Sequence, residues 1–175
     1  MTERTLWDRK IDGFTVTARV EYDDTDRTPW QEEDGHGPVT DWLTRPKYAG
    51  ERVLAQSYSH RRHYDFAEAC RIAYRDGWGC VGGIREGETR KAYAARAAEE
   101  DFRRLRAWCR DEWYYVGVVL SVSRGGVELD KYAAALWGIE SDAEAYILEV
   151  AEELLSGAID AARNALQTVN EGDAT

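Results

Sequence analysis

Two segments far apart in the chain carry the alternation of a half-buried β-strand, and any fold has to bring their apolar faces onto one core. In the first, Phe14, Val16, Ala18, Val20 and Tyr22 alternate with Thr15, Thr17, Arg19 and Glu21, so one face is apolar and the other polar. The second, Trp113 to Val122, is dense in β-branched and aromatic residues, which suit a pleated surface. Its Tyr114, Val116, Val118, Leu120 and Val122 are expected on the core side. Arg124-Gly125-Gly126 turns the chain into a return strand over about 131–138, and Arg52 to Tyr58 supplies a fourth strand.

The apolar spacing then changes to that of helices. Asp65-Phe66-Ala67-Glu68 has the form of a capping box and opens a short helix with Phe66, Ala69, Cys70 and Ala73 on its inner face, stopped at Asp76-Gly77. A longer helix is predicted over 88–111, with Ala94, Ala98, Phe102, Leu105, Trp108 and Cys109 inside. Pairs Glu99/Arg103 and Glu100/Arg104, four residues apart, lie on its exposed face. Ser141-Asp142-Ala143-Glu144 reads as another capping box. It predicts one continuous helix over 142–168, with a buried stripe of Ala143, Tyr146, Ile147, Val150, Leu154, Ala158, Ala162 and Leu166. Between the first two strands runs an irregular stretch, 23–50, with Pro29, Pro38 and Pro46 and with Trp30 and Trp42 set among acids. Loops of that length are often functional.

Strands joined by a tight hairpin and interleaved with few helices give an α+β fold. The expectation is an antiparallel sheet of about four strands with helices packed on one face, a single domain over 1–175 with a frayed tail from Asn170. At 175 residues, 43% hydrophobic and 32% charged, the chain can bury a core without disulfides or metal. The three cysteines agree: Cys70, Cys80 and Cys109 form no CxxC pair, and Cys70 and Cys109 sit on apolar helix faces where a thiol packs as a small hydrophobe. No apolar run approaches the roughly 20 residues that span a bilayer, and residues 1–13 lack a signal peptide's apolar stretch. Cytoplasmic location is therefore expected, with no membrane partner.

The familiar chemistries mostly fail on context. Gly77-Trp78-Gly79-Cys80-Val81-Gly82 spells GxGxxG, but it follows a helix instead of linking a strand to one, so it reads as an interhelical loop. His36, His60 and His63 share no metal-ligand spacing, and Arg61 and Arg62 repel a cation beside the histidine pair. Asp23, Asp24, Asp26, Glu32, Glu33 and Asp34 miss the register of a calcium loop. No serine sits in a nucleophile elbow and no cysteine has an evident base. No catalytic, metal or cofactor residue is therefore expected.

Two candidate surfaces remain. Tyr58-Ser59-His60-Arg61-Arg62-His63-Tyr64 interleaves cationic and aromatic side chains, the mixture that stacks on bases and holds phosphates. Against it stands the net charge of −10, which disfavours nucleic acid for the surface as a whole. Much of that charge falls in residues 138–175, where Glu149, Glu152, Glu153 and Asp160 lie off the apolar stripe and could meet a cationic protein.

Four blocks resemble a family of uncharacterised proteins encoded by tailed bacteriophages and prophages. They are Glu32-Glu-Asp-Gly-His-Gly-Pro-Val-Thr-Asp-Trp42, Tyr64-Asp-Phe…Arg-Asp-Gly-Trp-Gly79, Asp101-Phe-Arg-Arg-Leu-Arg-Ala-Trp-Cys-Arg-Asp-Glu-Trp113 and Leu136-Trp-Gly-Ile-Glu-Ser-Asp142. The family carries no known activity, so no site residue comes with it. The resemblance implies a small accessory protein in the cytoplasm of a bacterial host. Small acidic phage proteins often bind host proteins, restriction and CRISPR nucleases among them, some by placing carboxylates where DNA phosphates would sit. The leading expectation is thus a non-enzymatic protein that binds a host or phage protein, as a defence antagonist with an acidic, DNA-mimicking surface. The alternatives are a nucleic-acid-associated protein using Arg61 and Arg62, and an enzyme of unrecognised type with the 23–50 loop in its pocket.

Overall fold

In a computed structural model of the chain, which describes residues 3–25, 27–32 and 35–172, the long alternating strands lie side by side in one antiparallel sheet. Strand β2 (Phe14–Tyr22) pairs with β5 (Tyr115–Arg124) from Thr15 opposite Ser123 to Tyr22 opposite Val116. Outside them lie β1 (Arg4–Ile11) and β6 (Val127–Glu140), in the order β1-β2-β5-β6. The expected four-stranded antiparallel sheet is present, but its fourth member is β1 and not the 52–58 strand. The signal for β1 was Asp12-Gly13: both residues have positive φ (53° and 81°), as a two-residue turn requires if its twist is to match the strands. Gly125-Gly126 does the same between β5 and β6.

Helices α4 (Glu144–Glu153) and α5 (Leu155–Gly172) cover one face of this sheet. Val16, Ala18 and Val20 of β2, Val118, Leu120 and Val122 of β5, and Ile147, Val150, Ala158 and Ala162 of the helices form the core. The single helix expected over 142–168 is interrupted at Leu154, and Ser156-Gly157 follows at once, a pair at which helices bend. Ile147 and Val150 are buried as expected, whereas Tyr146 is 49% exposed and Leu154 only partly covered. Ser141 does not cap the helix: its Oγ accepts from Tyr114 N at 3.0 Å, and Ala143 stands at the cap with no side-chain bond. Tyr114, expected inside, is 38% exposed. Helix α5 runs through Gly172, past the tail expected to fray from Asn170; residues 173–175 lie outside the described residues.

Residues 26–112, inserted between β2 and β5, form a second compact unit; the first comprises residues 1–25 and 113–175. In the inserted unit β3 (Glu51–Ser57) pairs with β4 (His60–Asp65) as a two-stranded sheet. Against it pack α2 (Phe66–Asp76) and α3 (Arg90–Trp108). Asp65 caps α2 as predicted, accepting from Glu68 N at 2.9 Å, and Gly77 ends it with φ 72°. Leu54, Tyr64, Ala69, Ala98, Phe102 and Leu105 form this unit's core. The glycine-rich loop between α2 and α3 is held by Arg96, whose guanidinium bonds Gly83 O (2.6 Å) and Glu88 (2.8 Å). The 23–50 stretch is not structureless. It contains the single turn α1 (Pro29–Glu32), and its residues 39 and 43 bridge to Tyr64 and Arg61. Asp26, Glu33 and Asp34 of the acidic run lie outside the described residues.

Candidate functional site

The aromatic-basic segment 58–64 does not form one patch, because β4 sends successive side chains to opposite faces. Tyr58, at the hairpin tip with φ 51°, is 97% exposed, and His60 is exposed beside it. Arg61 Nε donates to Gln56 Oε1 at 3.3 Å. His63 and Tyr64 are fully buried and so belong to the interior, which corrects their place in a recognition surface. Among the described residues the His63 ring has no hydrogen-bond partner; the Glu51 carboxylate stands 3.9 Å from its Nδ1. Arg45 holds Glu51 through two 2.7 Å bonds. Those bonds, against partial burial and helped by Tyr48 N, lower its carboxyl to about 2.

Tyr64 is tied into a network that sequence spacing does not reveal. Its hydroxyl donates to Asp101 Oδ2 at 2.6 Å, and the same carboxylate accepts from Gly37 N (2.8 Å) and pairs with His36 Nδ1 (2.5 Å). Burial, reinforced by the Asp101 charge, pushes the Tyr64 phenol well above its ordinary range. Both carboxylate oxygens are engaged, so Asp101 anchors the 36–37 segment on α3. Gly37 is required by space: a Cβ there would stand 2.5 Å from the Tyr64 ring and 2.7 Å from Ala69 Cβ.

Arg62, on the other hand, opens into a cleft of about 720 Å³. Its guanidinium lies 5.0 Å from the Trp30 ring and 5.2 Å from Trp42. Trp30 arrives on α1 and meets Trp108 edge-on at 5.3 Å and 84°. Trp42 arrives on the segment that bridges to β4 and is 44% exposed. The last turn of α3 adds Arg106, and the residues after it add Cys109 and Arg110; Val53 to Gln56 of β3 make the opposite wall. Three tryptophans and three arginines thus face one space, and among the described residues no carboxylate lines it. Arg110 has a distant partner in Glu112, 3.8 Å away. Burial raises the Cys109 thiol to about 11, which keeps it protonated and a poor nucleophile. Such a wall can stack on flat groups and hold anions. Among the described residues its lining holds no carboxylate or histidine that could form an acid–base pair. The sequence points to Arg62 but not to its companions, since Trp30, Trp42 and the pair Arg106 and Trp108 come from three other parts of the chain.

The acidic candidates lie on the other unit. Glu149, Glu152, Glu153 and Asp160 are all exposed. Arg9 binds Glu152 at 2.5 Å, Arg4 binds the neighbouring Glu144 at 2.9 Å, and Arg163 reaches Asp160 at 3.2 Å. The hydrogen bonds from Arg9 and Arg4 lower the Glu152 and Glu144 carboxyls. Glu149 and Glu153 keep no ion pair among the described residues. Charge divides with the units. Residues 1–25 and 113–175 hold 17 acidic and 7 basic side chains, which accounts for the net −10, while residues 26–112 hold 16 of each.

Among the described residues, no group of three or more His, Cys, Asp or Glu side chains could hold a metal ion, and no helix is long and apolar enough to cross a membrane. The chain matches no protein-family model, no curated protein and no solved structure.

Proposed function

We propose that the chain is a non-enzymatic binding protein whose Arg62 cleft takes an acidic segment of a protein partner. The observation that carries this reading is the wall itself: Arg62, Arg106 and Arg110 with Trp30, Trp42 and Trp108, and no carboxylate among the described lining residues. Arginine forks suit carboxylates, and aromatic planes with an arginine between them make a desolvated anchor point of the kind that dominates interfaces. Single-stranded nucleic acid is the competing ligand, since bases also stack on tryptophan. The net charge of −10 favours a peptide, because a polyanion feels the whole field while a short acidic segment feels mainly the cleft. The resemblance to phage-encoded proteins makes a bacterial host protein the partner class, and antagonism of a defence system fits that setting.

The test is a titration of the intact chain with labelled decapeptides in which Glu alternates with Val, Phe, Tyr or Trp, beside their Lys-for-Glu counterparts and an oligo-dT strand. Glu peptides should bind more weakly as salt rises, and Trp42→Ala or Arg106→Ala should weaken them about tenfold or more. Binding of the oligonucleotide in preference to every peptide would transfer the cleft to nucleic acid. A second reading rests on exposed Glu149 and Glu153 within the acidic unit: this face docks a cationic protein surface. Glu149→Lys with Glu153→Lys should then slow association most at low salt.

A further inference from the structure

One wall of the cleft is a continuous run of one strand. Val53, Leu54, Ala55 and Gln56 are consecutive in β3, and all four line it. Side chains on a strand alternate between faces, so four successive residues can meet one space only along the strand's edge. That edge is open. Strand β4 is paired on both sides, with β3 on one and with the 38–43 segment on the other, through Thr40 N to His63 O (2.9 Å), Leu43 N to Arg61 O (2.8 Å) and Arg61 N to Leu43 O (2.7 Å). Among the described residues strand β3 is paired with β4 alone.

The register says which groups are free. Arg61 and His63 turn their backbone groups away from β3 toward 38–43. In an antiparallel ladder the residues opposite them turn away as well. Those are Gln56 and Val53, on either side of the bulge that sends Leu54 into the core. Among the described residues neither has a backbone partner outside β3–β4. Folded proteins guard open edges with proline, charged side chains or bulges; β3 has no proline or lysine, and its bulge and its charges, Glu51 and Arg52, lie toward its first half, leaving the edge at Ala55 and Gln56 without such a guard.

We infer that the partner's acidic segment enters the cleft extended, as a strand added to the free edge of β3. This rests on the reading of the cleft given above and names its binding mode. Main-chain bonds to Val53 and Gln56 set the segment's direction and register, and alternate side chains then point toward the arginines and tryptophans. Strand addition divides the work in this way, with affinity from backbone and specificity from side-chain pockets. The charge of the described wall, three arginines and no carboxylate, favours an acidic occupant.

The experiment uses the tightest Glu-containing decapeptide of the panel, N-methylated at its odd or at its even residues. One phase of methylation should weaken binding by about tenfold or more, since it removes donors from the ladder, and the other should leave it nearly unchanged. Hydrogen exchange of the Val53 and Gln56 amides should slow when peptide is bound. Gln56→Pro, which removes an outward N–H without touching the β4 ladder, should weaken binding while Gln56→Ala does not. Equal tolerance of both methylation phases, with unchanged exchange at Val53 and Gln56, would overturn strand addition while leaving an arginine-dependent peptide site in place. Failure of every Glu peptide to bind, or indifference to Arg106→Ala, would overturn both.

Discussion

Replacing Tyr64 by Phe tests the buried network of the inserted unit with little change of shape. The ring is fully buried, and its hydroxyl donates to Asp101 Oδ2 at 2.6 Å and lies 3.3 Å from Ala98 O. Phe keeps the packing against Phe102, 5.5 Å between centroids, so the loss is one hydrogen bond to a charged acceptor. Such a bond is worth about 1.5–3 kcal/mol. The larger penalty for an orphaned buried charge does not apply, because Asp101 keeps Gly37 N and His36. Native-state hydrogen exchange is the suitable assay, because a chain of two compact units need not unfold in one step. Amides of α3 should exchange about ten- to hundredfold faster at fixed pH. Asp101→Ala, which strips the acceptor from all three donors, should cost more than Tyr64→Phe. A change under about 0.5 kcal/mol in Tyr64→Phe would refute the network as a source of stability.

Ile147→Ala, at a fully buried site, should cost about 2–5 kcal/mol in denaturant unfolding. Leu154→Ala, at the helix break and only partly covered, should cost about 1–2 kcal/mol; equal losses would favour one unbroken helix. Acid should destabilise residues 26–112. The folded Glu51 carboxyl titrates at about 2 against 4.5 unfolded, so its contribution is complete above about pH 4.5 and is lost as pH falls toward 2. Exchange of β3 amides should accelerate across that window, and Glu51→Gln should flatten the response. Gly117→Ala places a Cβ 2.2 Å from the Trp137 ring, and overpacking of this kind should cost about 1–3 kcal/mol with a shift in tryptophan emission.

The sequence conveyed the parts of the fold whose signal is local. The alternation of 14–22 and 113–122 placed the two central strands, and the Asp65 box placed α2 within a residue. Strand β4 was hidden because His-Arg-Arg-His-Tyr-Asp has no apolar alternation; its burial comes from partners on both sides, Val53 and the 38–43 segment. Ser141 misled because a capping serine and a serine bonding an adjacent strand's N–H are identical as letters. The cleft was legible only at Arg62. Its other walls come from an α1 turn, a bridging segment, a helix end and a strand edge, and their meeting is a property of the tertiary fold. The pairing of His36 with Asp101 spans 65 positions and leaves no periodic trace.

The insertion of residues 26–112 fixes an order of events during synthesis. Strands β2 and β5 are neighbours, Tyr22 opposite Val116 and Asp23 N bonded to Tyr115 O at 3.1 Å, yet the whole inserted unit is translated between them. At the usual pace of about 5–20 residues per second, β2 stands with one edge bare for on the order of ten seconds. A two-stranded hairpin is marginal in water, and an open apolar edge invites foreign strands. The inserted unit has its own core. The β1–β2 hairpin remains exposed on the nascent chain until residues 113–124 emerge, and so is the segment most in need of a chaperone.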